Sequence, residues 1–401
     1  MKNSSNFINK VAIIRCDSYN KQELIKKIEA CVELIGGFKK YIRPGKKILL
    51  KPNLLSATKP ELAVTTHPIF IESIIDIIKK TAGQDVEITI ADSPGAATPH
   101  TIENLKKLYK VCEIDYLGKI KNVKLSLETE FSVVSFKDGK VLKHLEIIKP
   151  ATDADIIINL PKFKTHSLTR ITGAIKNMFG IVHGRTKTLL HTKFIEIDKF
   201  SDMLLDVYLY KTPVLNIMDA VIGLEGEGPG ASGKPRKIEM ILASANGIAM
   251  DSLVSEMMGF KSSNIPLIRC ASMRGLEGWD INKVEIIGAK IENLLIKDFK
   301  LPKNTPIDRI TKSRFVKTYM LPFIRNNLYS SPYQNKEKCT LCEICIQVCP
   351  EEAINLRTKD LIFDYKKCIR CYCCSEMCPY GAIDLKYSLL GNLIFSKKPI
   401  K

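Results

Sequence analysis

The 401-residue chain has no apolar run that could cross a bilayer; none approaches the ~18 uncharged apolar residues a spanning helix needs. Its N-terminus, MKNSSNFINKVAIIRCD, lacks the apolar block of a secretory signal. Both absences point to a cytoplasmic protein with no transmembrane segment. Two nucleotide signatures are missing as well. There is no GxxxxGK[ST] sequence, and no GxGxxG leads from a strand into a helix, so neither a P-loop nor a dinucleotide site is signalled. Dense basic runs with interleaved aromatics are absent too, which makes nucleic acid an unlikely partner despite the net charge of +18.

Cysteine is scarce over most of the chain. Cys16, Cys31, Cys112 and Cys270 stand alone, as small buried apolar residues do, and nothing suggests a disulfide scaffold. The remaining nine crowd between Cys339 and Cys378. Cys339-x2-Cys342-x2-Cys345-x3-Cys349-Pro350 recurs 29 residues later as Cys368-x2-Cys371-x2-Cys374-x3-Cys378-Pro379. The repeat extends past the cysteines, because Ala353, Ile354 and Leu356 return as Ala382, Ile383 and Leu385. Three closely spaced thiolates grip one iron cubane, and the fourth, displaced by the x3 step and the proline, reaches the neighbouring cubane. The expected ligand sets are therefore crossed: Cys339, Cys342, Cys345 and Cys378 for one [4Fe-4S] cluster, and Cys368, Cys371, Cys374 and Cys349 for the other. Zinc knuckles would need paired CxxC units instead of runs of three. Cys373 aligns with Ile344 and is read as a packing residue. The module resembles the bacterial two-cluster ferredoxins, a resemblance that implies short antiparallel strand pairs, such as AINL with LIFD, and one-electron transfer at low potential.

Before the module, β-branched runs alternate with amphipathic segments. VAIIRC, KKILLKPN, VEITIADS, ADIIINLP, PVLNIMDA, KIEMILAS and VEIIG read as strands. KQELIKKIEACVELI, PIFIESIIDIIKK, TIENLKKLYKVC, FSDMLLDVYLY and DSLVSEMMG read as helices. The order predicts an α/β domain over 1–300, with a mostly parallel sheet and flanking helices. A connecting arm (301–332), a small α+β ferredoxin-like domain (333–390) and a tail (391–401) follow.

Ligands of such sheets sit beyond the carboxyl ends of the strands. Several strands here end in polar residues: Lys51 and Asn53, Asp92 and Ser93, Asn159 with Lys162, and Asp219 with Glu225 and Glu227. Taken alone, Asn53, Asp92 and Ser93 also suit turns and caps. Lys162, Lys164, His166, Lys176 and Asn177 fall within sixteen residues and suit an anion, although a solvated basic loop has the same composition. GLEGEGPGASG, five glycines in eleven residues, allows close backbone approach to a ligand. Asp219, Glu225 and Glu227 can take a divalent cation or pair with the lysines. His183 and His191 flank a polar segment with the look of a mobile flap.

The motifs KPNLL, TTHP, ADSPG, NLPKFKTH, TGAIKNMFG and MDAVIGLEGEGPGASG resemble the family catalogued as domain of unknown function 362, over roughly residues 10 to 290. Family members often carry a C-terminal two-cluster ferredoxin. A more distant likeness to nickel-pincer racemases is one of fold. The expected function is a reductase: an electron donor such as ferredoxin charges two [4Fe-4S] clusters, which reduce an anionic small molecule. Lys162, Lys164 and Lys176 would bind it, and His166 would donate a proton. An electron-transfer or assembly subunit, and a redox sensor, are the alternatives.

Overall fold

The computed structural model describes residues 9–95, 98–289, 294–302 and 330–386. Most of the expected arm and all of the expected tail lie outside them.

The main sheet has ten strands, eight of them along one path; in chain order it begins with β1 (Lys10–Arg15), β2 (Ile48–Pro52), β3 (Ile88–Ile90), β4 (Val123–Leu125) and, past the separate hairpin of β5 (Phe131–Ser135) and β6 (His144–Ile148), β7 (Ile156–Leu160). Beyond it come β8 (Lys162–His166) and β9 (Arg170–Ile171), which branch off the main path, and then β10 (Leu215–Gly226), β11 (Gly233–Ser244) and β12 (Glu285–Ile287). The spatial order is β12-β1-β11-β10-β7-β2-β3-β4. Only β11 runs antiparallel to its neighbours β1 and β10; the other adjacent pairs are parallel.

The sheet is apolar on both faces because helices cover both. Alternate residues of β2 and β7 point to opposite cores. Ile48, Leu50, Ile156 and Ile158 join the helices Lys21–Glu33, Pro68–Ala82 and Ile102–Val111. Leu49 and Ile157 join the side packed by Ile197–Tyr210, Gly247–Met257 and Pro266–Met273. Capping follows the sequence: Asn20 accepts from Glu23 N, and Asn246 accepts from Ile248 N and Ala249 N. The four scattered cysteines are buried.

In the C-terminal module, β13 (Ser331–Gln334) pairs antiparallel with β16 (Ile383–Lys386), and β14 (Ile354–Arg357) pairs with β15 (Asp360–Phe363). AINL therefore does meet LIFD. The first of these strands opens at Ser331, two residues before the boundary expected at 333. Each cysteine run contributes one helical turn, Ile344–Gln347 in the first copy and Cys373–Glu376 in the second.

Candidate functional site

The carboxyl ends of β2 and β3 and the buried strand β8 open onto one cavity of about 70 Å³. Its walls carry Lys51, Asn53, Asp92, Ser93, Lys164, His166, Lys176 and Asn177, which is most of the set expected at the strand ends. The far wall belongs to the cysteine module and holds Cys373, Glu376 and Met377.

KFKTH is a fully buried strand, correcting the solvated-loop alternative. It is held between β10, in the register Asp219↔Lys162 and Leu224↔Lys164, and β9. Burial forces each cation to find acceptors. Lys164 Nζ donates to Asn53 Oδ1 (2.8 Å), Val64 O (2.7 Å) and Pro229 O (3.3 Å), so all three of its protons are engaged within the protein. Lys51 Nζ lies 2.9 Å from Asp92 Oδ1 and donates to Pro52 O at 2.8 Å. Lys187 donates to the carbonyls of Ser93 and Pro94. Lys176 differs from these three. Its ammonium lies over Phe179 and Phe200, 5.6 and 5.4 Å from the ring centres, and it forms no hydrogen bond or ion pair among the described residues.

A chain of amides fixes the floor. Asn53 donates to Asn177 Oδ1, Asn177 donates to Lys51 O and Asn159 Oδ1, and Asn159 donates to Ala174 O and Asn216 Oδ1. The short helix Gly173–Asn177, which presents Lys176 and Asn177, is anchored by Asp251, whose carboxylate accepts from Ala174 N and Ile175 N.

His166 Nδ1 accepts from Leu168 N (3.0 Å) and Thr169 N (3.3 Å), so the neutral ring keeps its proton on Nε2. Nε2 lies 3.1 Å from Glu376 Oε1 across the domain boundary, in close contact but without hydrogen-bond alignment. Ser93 Oγ and Thr172 Oγ1, on the cavity wall, are also buried without partners. Burial disfavours charge on these groups. It holds Lys51, Lys164 and Lys176 below the usual lysine range and brings Lys187 to about 7. His166 is pushed well below its ordinary value and His191 down to about 3, so both rings are neutral. Glu376 is raised to about 7 by burial, against the pull of Lys176 and Lys164. His166, as a neutral imidazole, offers a hydrogen bond from Nε2. Four lysines face two carboxylates, an imbalance that an anion would relieve.

Five expected residues stand outside the cavity. Lys162 and Asp219 form a closed ion pair at 2.7 Å, with Tyr19 bridging them: Lys162 donates to its hydroxyl, which donates to Asp219 Oδ1. Glu225 accepts from Lys300 N, and Glu227 accepts from Ser167 Oγ at 3.5 Å. Asn159 acts through Asn177. No group of three or more His, Cys, Asp or Glu side chains closes around a single metal ion among the described residues, so the cation reading of Asp219, Glu225 and Glu227 is not supported. The glycine-rich segment meets protein backbone: a Cβ on Gly230 would lie 2.2 Å from Glu376 O. That glycine seats the module.

Sequence reasoning missed Lys187, Thr172 and Glu376, and took His191 only as the edge of a flap. The expected flap is the helix Gly184–Lys193, and Lys187 and His191, four residues apart, share its buried face. That spacing was available as a signal. Glu376 had none, because its place depends on how the two domains meet.

A second, smaller cavity is lined by Cys339, Cys342, Cys345 and Cys378. Cys368 lies near Cys371 and Cys349, and Cys374 lies near Cys371, Cys368 and Cys349 and also near Cys345 of the other run. Cys349 Sγ accepts from Ala353 N (3.2 Å) and Cys378 Sγ from Ala382 N (3.1 Å), the N–H···S pattern that stabilises cluster thiolates. Thiolates spread around a cavity fit a four-iron cubane better than one small ion, whose ligands converge more tightly.

Comparisons with known proteins agree with this division. Residues 48–256 match the family model described as Domain of unknown function (DUF362), and residues 331–384 match a 4Fe-4S dicluster domain. Thylakoid-associated protein sll1697 of Synechocystis is 27% identical over 335 residues, covering 80% of this chain and 98% of that protein. Among solved structures, the lactate racemase apoprotein of Thermoanaerobacterium thermosaccharolyticum aligns with a TM-score of 0.35 and 15% identity, over 62% of this chain and 57% of its own. A Thermotoga maritima protein aligns with a TM-score of 0.35 and 12% identity, over 58% and 57%. These two likenesses are too loose to carry a functional argument. No helix among the described residues is long and apolar enough to cross a membrane. The family model spans more than half of the sequence, so the chain belongs to the family described as DUF362, with a 4Fe-4S dicluster domain on its C-terminal side.

Proposed function

We propose that the protein is an iron–sulfur oxidoreductase that reduces a small anion held in the cavity between its two domains. The observation that carries this reading is the shared wall. The helix Cys373–Glu376 lines the cavity through Cys373 and Glu376, and it includes Cys374, assigned to the second cluster. Cys339, Cys342, Cys345 and Cys378 hold one cluster in this reading, and Cys349, Cys368, Cys371 and Cys374 the other. The bound clusters supply single electrons at low potential.

The chain's own residues do the rest. Lys176, with no protein acceptor among the described residues, binds the anion directly, while Lys164 and Lys51 hold the wall and its positive potential. Thr172 Oγ1, Ser93 Oγ and His166 Nε2–H complete a ring of donors. Lys176 and Lys187, both destabilised as cations by burial, can release a proton to the reduced product.

The test is anaerobic reduction of the holoprotein followed by fractionated small-molecule extract, with cluster absorbance as the readout. The reading expects one fraction to reoxidise the clusters and Lys176→Met to weaken that ligand roughly ten- to a hundredfold with both clusters retained. Reoxidation by cell protein alone would replace it with an electron-transfer subunit.

A further inference from the structure

The two ligand loops are copies in spacing but not in charge. Residues 335–343 carry Lys336 and Lys338 against Glu337 and Glu343, so their charges cancel. The copy 29 residues on, 364–372, carries Lys366, Lys367 and Arg370 against Asp364 alone, a surplus of two positive charges. Of these charged residues only Arg370 is buried, at 5% exposed. Its counterpart in the first copy is Leu341, and both have the same left-handed backbone, with φ of 56°. Leu341 lines the cavity formed by Cys339, Cys342, Cys345 and Cys378, so this repeat position faces a set of ligands. In the second copy the Arg370 guanidinium donates from Nη1 to Cys368 O (3.4 Å), and its charge favours the thiolate of Cys368.

We infer that Arg370 makes the inner cluster, the one assigned to Cys349, Cys368, Cys371 and Cys374, a better electron acceptor than the outer one, so that an electron taken up by the protein settles beside the cavity. Reduction adds a negative charge to a group whose thiolates already make it anionic, and a fixed cation alongside stabilises the added charge. Burial alone would work the other way. The inner run lies against the α/β domain, where Glu376 meets His166, whereas Cys342 of the outer run is exposed. Charge is harder to add where water is excluded. The same exclusion leaves the Arg370 charge little screened, while the exposed Lys336, Lys338, Lys366 and Lys367 are screened by solvent and salt. Glu376, the carboxyl on the inner helix, is offset by Lys176 and Lys164 across the cavity. An electron passing inward oxidises the outer cluster and reduces the inner one, with no proton or further reactant required. The inference rests on the cluster assignment of the proposed function and not on its anion, so a failed search for the anion leaves it standing.

The experiment is a redox titration of the anaerobic holoprotein, followed by electron paramagnetic resonance, in the wild type, Arg370→Leu, Arg370→Lys and the reciprocal Leu341→Arg. The signal lost in Cys374→Ser identifies the inner cluster. The wild type should take up its first electron there. Arg370→Leu should lower the inner reduction constant about tenfold, which is about 59 mV for one electron, and leave the outer one within about a factor of two. Arg370→Lys should keep most of the inner potential, and Leu341→Arg should raise the outer one. Arg370→Gln carries the same expectation as Arg370→Leu should the latter lose iron. First uptake at the outer cluster of the wild type, an inner potential unchanged without the arginine, or equal shifts of both clusters would overturn the inference. So would a drop in Arg370→Lys as large as in Arg370→Leu, which would make shape and not charge the cause, or an outer potential that Leu341→Arg leaves where it was.

Discussion

The two cysteine runs show how one sequence motif acquires two roles. They share spacing, proline, helical turn and N–H···S bonds from Ala353 and Ala382. Where the first run has an exposed Glu343, the second has Tyr372, only 2% exposed, its hydroxyl donating to Ser330 O. Where the first has an exposed Gln347, the second has Glu376 against His166. Local chemistry makes both runs thiolate cradles; contact with the α/β domain makes one of them the wall of a cavity.

The sharpest break between the runs should come from their cysteines. Cys374→Ser should remove the inner cluster and all reoxidation by the cavity ligand, while Cys342→Ser should remove the outer cluster and leave ligand affinity intact. Iron content and electron paramagnetic resonance would separate the two cases, and equal loss of ligand binding in both would contradict the assignment.

Next in size is the docking contact. Gly230→Val would drive a side chain into Glu376 O and displace the inner wall. Misplacement of about an ångström costs on the order of a hundredfold in rate, so reoxidation should slow by about that much while the outer cluster keeps its spectrum. Lys176→Met follows. Losing one charge-assisted hydrogen bond, worth about 1.5–3 kcal/mol, should weaken the anion roughly ten- to a hundredfold by equilibrium titration.

The smallest effect is the pH dependence. Lys187, with its pKa lowered to about 7 by burial beside Lys51 and Lys176 and against the pull of Asp92, is charged only below that pH. Anion affinity should therefore fall as pH rises through about 7, and Lys187→Met should reduce the fall to the part that Glu376, raised to about 7 in the same cavity, contributes. Folding carries the opposite sign. The buried neutral amine is favoured, so this group's contribution grows as pH climbs from about 7 toward the ordinary lysine range and is lost on the acid side.

The sequence disclosed what local pattern controls. The parallel strands, their polar ends, the repeated cysteine runs and the AINL–LIFD pair all follow from periodicity and spacing. Strand β8 eluded the same reasoning because KFKTH has the composition of a loop, and only its pairing with β10 and β9 buries it. Lys162 and Asp219 were grouped with the site because they too end strands, yet Tyr19 closes them into a pair of their own. Glu376 was invisible for a different reason. A 29-residue repeat predicts equal copies, and the inequality arises from a tertiary contact between segments far apart in sequence.

The central claim is that the cavity communicates with the inner cluster and not with the outer one. Redox titration of the holoprotein, followed by electron paramagnetic resonance with and without the reoxidising fraction under non-turnover conditions, tests it most directly. The account predicts that the ligand shifts the potential or signal of the cluster lost in Cys374→Ser and leaves the cluster lost in Cys342→Ser unchanged. A shift confined to the outer cluster, or none in either, would contradict it.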